Sequence, residues 1–473
     1  MTFKSDIIIG LEVHVELKTE TKLFCDCKRI KESEDEKANT RVCPICLGHP
    51  GTRPSVNKKA VEFVTKLGLA VGSRISDKLI FSRKNYFYPD MSKNFQITQF
   101  ENPIARGGVI RLKNGKEVHL TRIHLEEDPA SLTYPGLMTN TPFSWIDYNR
   151  SGDPLAEIVT EPELNSPEEA REFMNQLYSI LSYLEIFDIN TCLIKSDVNV
   201  SIKDSGYSRV EIKNVNGFKE VEQALRYEIT RQKMLVKRGM KIPHESRGWN
   251  KTGKTTFLQR VKETEDDYGY IIEPDLPKLR LNKKFIDRIK ETIPELPFQK
   301  IRRFMKEYKL KEDDAYVMAM DKKLADIFEE LASKFDASFI VNWLRHEFLR
   351  VLNYNGKSIQ DIEFGIEEIK ELLYLIKQDK ISDKVAKRIL EKLVEGRFSP
   401  KRYVEEKGLV QISSDKEIKE LCQSALEKEE KAVSDYIAGE EKALDYLVGK
   451  VMALSRGKAN PKKVRSILPK MLK

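Results

Sequence analysis

The chain has 473 residues, 33% of them charged, with 82 Lys and Arg against 74 Asp and Glu for a formal net charge of +8. That length exceeds one hydrophobic core and implies two or three domains. No run of about 18 apolar residues occurs, and the N-terminal MTFKSDIIIG lacks a basic segment leading into a long apolar one, so neither a membrane span nor a secretory signal is expected.

Residues 7–17, IIIGLEVHVEL, alternate as a half-buried strand does. Leu11, Val13, Val15 and Leu17 fall on one face, and Glu12, His14 and Glu16 on the other. Residues 123–129, IHLEEDP, crowd His124, Glu126, Glu127 and Asp128 together. Grouped carboxylates repel unless protons or a cation intervene. Either stretch alone reads equally well as a solvated, salt-bridged strand. Two in one domain point to a divalent-metal site.

Between them lie four of the six cysteines. Cys25 and Cys27 form C-x-C, and after fifteen residues Cys43 and Cys46 form C-x-x-C, a zinc-ligand spacing. Four thiolates close a tetrahedral sphere and leave no position for water, so a structural zinc is expected here. Without a signal segment the compartment is expected to be reducing, which disfavours disulfides. Cys192 and Cys422 read as core residues.

The Gly- and Pro-rich 48–57 is irregular, and Asn57 then caps a helix carrying Val61, Val64, Leu67 and Ala70 on one face. In FSRKNYFYP, 81–89, Arg83 and Lys84 stand beside Tyr86, Phe87 and Tyr88. That mixture suits nucleotide or RNA contact, and equally aromatics packed inward with cations outside. From 95 to 162 short alternating runs at 109–112, 118–123, 144–148 and 155–159 are punctuated by NG, GG and PG, as in antiparallel strands. Glu157 and Glu161 share a side of the last. Ser166-Pro167-Glu168-Glu169 opens a helix with Phe173, Leu177, Ile180, Leu181 and Leu184 inward. Strands return at 195–202 and 209–215, each with one apolar and one hydrogen-bonding face, and a helix bearing Val221, Ala224, Leu225 and Ile229 follows.

Residues 248–255, GWNKTGKT, fit the P-loop expression. That motif needs a buried strand before it and a helix after it. The preceding KIPHESR is no buried strand and the following TTFLQRVKE alternates, so a hairpin around 251–253 is expected. Sheet-rich sequence ends near 273–277. Helices are then expected at 284–292, 299–308, 324–335, 338–352, 359–378 and 384–395, the last capped by Ser382 or Asp383. A final segment starts near Ser414. In it Lys450, Arg456, Lys458, Lys462, Lys463, Arg465, Lys470 and Lys473 occur with no acid after Asp445. Such a segment suits a phosphate backbone, and a solvated helix face is the alternative.

In this order GLEVHVELKT, FCDC…NTRVCPICLGHPG, RKNYFYPD, IHLEEDPA, DYNRSGDPLAEIVTEPE, DVNVSI, KNVNGF, DYGYIIEPDLP, GLVQIS and LVGKVMALSRGKANP closely resemble the B subunit of aspartyl/glutamyl-tRNA amidotransferases. The resemblance covers nearly the whole chain. It implies an α+β fold: an antiparallel-sheet cradle over 1–290 with the zinc module at about 24–47, an all-α domain over 291–405, and a small YqeY-like tRNA-binding tail over 406–473. It also implies a cytoplasmic heterotrimer. An amidase-type glutaminase A subunit supplies ammonia, and a small C subunit ties the other two together. The B subunit holds misacylated tRNA and uses ATP to phosphorylate the Asp or Glu side chain before amidation.

Matched by position, the family's magnesium ligands are Glu12, His14, Glu126, Glu127 and Glu157, and its zinc ligands are Cys25, Cys27, Cys43 and Cys46. Lys458, Lys462, Lys463 and Arg465 would meet the tRNA body, with Arg83, Lys84 and Tyr86 nearer the acceptor end. Asp90-Met91-Ser92-Lys93-Asn94-Phe95 and Asp128-Pro129-Ala130-Ser131 depart from the family's usual Asp-Leu-Pro-Lys-Gly-Tyr and Asp-Ala-Gly-Lys. In the related E subunit a long insertion precedes the helical domain, and none follows Pro277 here. A zinc-stabilised tRNA-binding module without chemistry is the competing reading; it leaves the acidic faces without a purpose. A self-contained ATP-dependent amide ligase would need an ammonia source that no motif supplies.

Overall fold

Alternation in IIIGLEVHVE produces a strand, Ile7–Glu16, whose apolar side chains Leu11, Val13 and Val15 are buried on one face. The computed structural model describes residues 5–30, 36–135, 142–261, 269–412, 414–455 and 457–472, without the side chains of Arg260 and Val261. Arg456 and Lys473 of the basic tail, and Gly136 of the expected PG turn, lie outside them. The described residues fall into two compact units, Met1–Lys300 and Ile301–Lys473.

In the first unit Ile7–Glu16 sits in the middle of a ten-stranded sheet. It pairs antiparallel with Pro154–Thr160 on one side and Ile194–Ile202 on the other. Glu117–Glu127 lies beyond Pro154–Thr160, and Val210–Asn216 beyond Ile194–Ile202. The helices Lys58–Ala70, Pro167–Leu184 and Phe218–Lys237 share one hydrophobic core with the apolar sheet face. Val64, Leu67, Phe173, Leu177, Leu181 and Leu225 pack there with Leu11, Val13, Val198 and Ile212. The apolar face is therefore covered, and the charged side chains are left on the opposite one.

Local signals set the helix ends. Asn57 accepts from the amides of Lys59 and Ala60 at 2.9 and 3.2 Å. Ser166 accepts from Glu169 N at 3.1 Å, with Pro167 in the first turn. That helix stops at Glu185 in the left-handed region, φ 58°.

One strand pair departs from the antiparallel expectation. Val210–Asn216 and Glu245–Asn250 run parallel, because the helix Phe218–Lys237 carries the chain back to the starting end of the sheet. The P-loop look-alike forms the expected hairpin: Glu245–Asn250 pairs antiparallel with Thr255–Val261. Asn250 Oδ1 accepts from the Gly253 amide at 2.8 Å inside the turn. A strand, Thr255–Val261, follows the turn where a P-loop needs a helix N-terminus to face the phosphate.

The second unit is helical, with two corrections to its expected elements. The single helix over 359–378 is a short turn, Ile359–Asp361, followed by a separate helix, Ile366–Lys377. Gly365 is extended there and its amide donates to Glu368 Oε2 at 2.8 Å, a second N-cap inside SIQDIEFGIEE. The helix over 338–352 is interrupted by a π-helical turn, Leu344–Phe348. Helices Glu312–Ala319 and Pro400–Glu406 add to the expected set. The last helices enclose their own core of Ile418, Cys422, Leu447, Val451, Val464 and Leu468. Among the described residues no helix is long and apolar enough to cross a membrane.

Candidate active site

Cross-strand register assembles the acidic face. His14 stands opposite Glu157 on the neighbouring strand, and Glu157 stands opposite His124 on the next. The three side chains form a row across Ile7–Glu16, Pro154–Thr160 and Glu117–Glu127, and the two-residue period adds Glu12 and Glu126 on the same face. His14 Nε2 lies 3.6 Å from Glu12 Oε1, 3.4 Å from Glu126 Oε1 and 3.5 Å from Glu157 Oε2. His124 Nε2 lies 3.3 Å from Glu157 Oε2 and 3.8 Å from Glu126 Oε2. Glu126 and Glu157 are buried.

These charges hold one another in balance. Burial opposes charging of His14, but its hydrogen bond to Glu157 and the Glu126, Glu157 and Glu12 carboxylates push the imidazole up to about 10. His124 rises to about 9 in the same way, burial being outweighed chiefly by Glu157. Burial also opposes ionisation of Glu157, yet His124 and His14 hold it well below the usual carboxylate range. Glu12, facing the Glu157 charge and partly desolvated, is pushed up to about 7. Protons on the two imidazoles offset the neighbouring carboxylates, and a bound dication would take over that role and release the His14 proton.

The donor set fits a divalent cation. Ligand atoms of Glu12, His14 and Glu157 lie within 4.8 Å of one another, as do those of His124, Glu126 and Glu157. Among the described residues buried Glu157 Oε1 and His124 Nδ1 have no hydrogen-bond partner, although the Arg122 guanidinium lies 3.5 Å from Glu157 Oε1. Carboxylate oxygens with room for further ligands suit Mg2+.

Glu127 is a correction. Adjacent residues on a strand point to opposite faces, so Glu127 leaves the cluster that Glu126 joins. Its carboxylate binds Lys93 Nζ at 2.5 and 2.6 Å and the Ile97 amide at 2.8 Å. The same rule splits Arg83 from Lys84. Arg83 grips Glu273 through Nε and Nη2 at 2.7 and 2.8 Å, reaches Asp275 at 3.1 Å and covers the Phe95 ring. Lys84 lies near Tyr86 and is raised by Tyr270, Glu126, Glu157 and Glu12 against the pull of burial. Its charge thus acts on the acidic cluster. Thr98 Oγ1 donates to Glu126 Oε2 at 3.3 Å. Parity with Glu126 would have placed His124 on this face from sequence; Lys84 was expected at the acceptor end of a tRNA and not beside the carboxylates, and nothing local marked Thr98.

Glu16, two positions beyond His14, opens a second charged layer. It meets Arg29 at 3.3 Å and Arg150 at 3.8 Å, and Arg150 binds Asp128 at 2.6 Å. Arg29 continues to fully buried Asp153 at 3.5 Å. Beside this layer the sulfurs of Cys25, Cys27, Cys43 and Cys46 lie within 4.8 Å of one another. Those of Cys43 and Cys46 are 3.9 Å apart, close to the roughly 3.8 Å edge of a tetrahedron with 2.3 Å metal–sulfur bonds. The group fits a tetrahedral zinc.

In the tail Lys463 binds Asp415 at 2.9 Å and Arg465 binds Asp445, both pairs at the surface, and Lys458 and Lys462 are exposed as well. The tail is therefore less uniformly basic in space than in sequence.

Residues 7–287 match the family model described as the GatB/GatE catalytic domain, and 326–472 match one described as the GatB domain. The first match sets the class: a chain built on a GatB/GatE catalytic domain. The B subunit of aspartyl/glutamyl-tRNA(Asn/Gln) amidotransferase from Carboxydothermus hydrogenoformans is 40% identical over 473 residues, covering 98% of both chains. Its namesake from Thermotoga petrophila is 42% identical over 476 residues, again covering 98% of each. That from Brevibacillus brevis is 40% identical over 479 residues and 99% of each. The chain belongs to the family of aspartyl/glutamyl-tRNA(Asn/Gln) amidotransferase B subunits.

Proposed function

We propose that this chain is the B subunit of an ATP-dependent tRNA amidotransferase, converting Asp-tRNA(Asn), Glu-tRNA(Gln) or both to the amidated forms. The observation that carries this reading is the row His14–Glu157–His124 with Glu12 and Glu126 beside it. A binding module without chemistry has no use for three carboxylates and two imidazoles gathered on one sheet face.

In this reading Glu12, Glu126 and Glu157 hold magnesium, with His14 either a fourth ligand or a prop for the carboxylates. The bound ion supplies charge neutralisation for the ATP γ-phosphate. The chain's own residues do the rest. Lys84 adds a fixed cation beside the carboxylates, and Thr98 orients Glu126. The covered face keeps the cluster in a low-dielectric floor where these charges act strongly. The substrate's side-chain carboxylate attacks the γ-phosphorus, ADP leaves, and ammonia then displaces phosphate from the acyl phosphate. Ammonia comes from a glutaminase A subunit in a cytoplasmic assembly completed by a C subunit.

Cys25, Cys27, Cys43 and Cys46 hold structural zinc. Residues 1–290, 291–405 and 406–473 act as cradle, helical domain and tRNA-binding tail. Arg83 serves the cradle's internal ion pairs, so the acceptor-end contact falls to neighbours such as Tyr86.

Reconstitution of the assembly with each misacylated tRNA, ATP and free ammonia tests this reading while bypassing the glutaminase. Amidation is expected with at least one tRNA and is expected to vanish with Glu126→Gln, tRNA binding being retained. Amidation by Glu126→Gln at the wild-type rate would sink it.

A further inference from the structure

Lys22 is fully buried, 0% exposed. An ammonium taken out of water costs several kcal/mol unless it is paired and hydrogen-bonded. Its Nζ lies 3.7 Å from Cys46 Sγ and donates to the Tyr148 carbonyl oxygen at 3.2 Å. The backbone repeats the link. Lys22 N donates to Cys27 O at 2.9 Å, and Leu23 N donates to Gly152 O at 2.8 Å. One residue thus touches both cysteine pairs and the 148–153 segment.

Charge gives the contact its meaning. Four thiolates around one divalent ion carry two net negative charges, and a buried centre of that kind needs N–H donors or a cation at its sulfurs. The Cys43 amide donates to Cys46 Sγ at 3.2 Å, and Lys22 brings a full positive charge to the same sulfur. We propose that Lys22 is the counter-cation of the four-cysteine centre and a positioning residue that ties the occupancy of that centre to the 148–153 segment. This rests on the zinc reading given above.

The segment matters because it carries Arg150, bound to Asp128 at 2.6 Å and facing Glu16 at 3.8 Å, next to the acidic face. It also carries Asp153, on which the Lys22 charge acts as well. If neutralising Asp153 were the whole role of Lys22, the zinc centre would be indifferent to its removal. That difference is measurable.

The test uses the full-length chain as wild type, Lys22→Arg and Lys22→Met. Zinc per chain is measured by elemental analysis, and zinc release by transfer to the chromogenic chelator 4-(2-pyridylazo)resorcinol. Amide exchange over 148–153 is followed by mass spectrometry before and after zinc removal. Zinc release from Lys22→Met is expected to be about 10- to 100-fold faster than from wild type, with Lys22→Arg within about threefold of it. Exchange over 148–153 is expected to rise when zinc is stripped from wild type, and in loaded Lys22→Met. A wild type that binds no zinc overturns the zinc reading and this proposal together. A zinc-binding wild type beside a Lys22→Met that releases at the same rate overturns the proposal alone, as does exchange over 148–153 that zinc removal leaves unchanged. Should Lys22→Met not fold, the exchange of wild type with and without zinc decides, since it needs no variant.

Discussion

Glu126 and Glu127 are neighbours in sequence and strangers in space. A strand turns successive side chains to opposite faces, so Glu126 joins His14 and His124 while Glu127 closes on Lys93 and the Ile97 amide. Composition alone grouped them; parity separates them. Their substitutions should therefore fail differently. Glu127→Gln leaves the mostly buried Lys93 ammonium without its counter-charge, and is expected to lower unfolding free energy by about 3 kcal/mol, read as a shift in the urea midpoint at constant slope. An unchanged midpoint would mean that the pair contributes nothing to stability. The face-by-face assignment of Glu12, His14 and Glu16 was legible in Ile7–Glu16 itself, because from Leu11 onward apolar and polar residues alternate with a two-residue period. Lys84 was not, since what brings it to Glu126 is the pairing of Ser82–Asn85 with Phe95–Thr98 and Gly269–Ile272.

At the scale of elements, the strands and helices near the site were largely readable and their partners were not. Nothing within PLAEIVT says that Glu157 will stand between His14 and His124; that depends on a register set between segments far apart in the chain. The parallel pairing of Val210–Asn216 with Glu245–Asn250 was hidden for the same reason. Local chemistry was also missed where two caps stood close together, as at Ser358 and Gly365. The helix Pro167–Leu184 backs the site and should respond to both its cap and its core. Ser166→Ala removes the acceptor for the Glu169 amide and is expected to cost about 1 kcal/mol. Leu177→Ala empties a fully buried position and is expected to cost about 2–5 kcal/mol. Equilibrium denaturation of both variants checks the ranking, and a cap costlier than the core residue would reverse the account of what holds this helix.

For the whole molecule, the charge excess resolves into particular residues. Lys463 and Arg465 are engaged with Asp415 and Asp445, leaving Lys458 and Lys462 the better candidates for phosphate contact among the tail residues named above. Truncation from Gly449 onward would cut the helix Lys442–Leu454 and remove Val451, Val464 and Leu468 from the terminal core, so it would report unfolding rather than lost contacts. Paired Lys458→Gln and Lys462→Gln are the cleaner test. Together they are expected to reduce the salt dependence of tRNA binding by about 1.4–1.8 in the log–log slope, and an unchanged slope would remove this face from the interface. The central claim concerns the first unit: side chains from three strands converge to transfer a phosphoryl group to an aminoacyl side chain. Its most direct test is misacylated-tRNA-dependent ADP formation by the reconstituted assembly, without glutamine or ammonia, in wild type and Glu157→Gln. The account predicts that Glu157→Gln loses at least about 100-fold in this step while binding tRNA as wild type does; ADP formation within a few fold of wild type would contradict it.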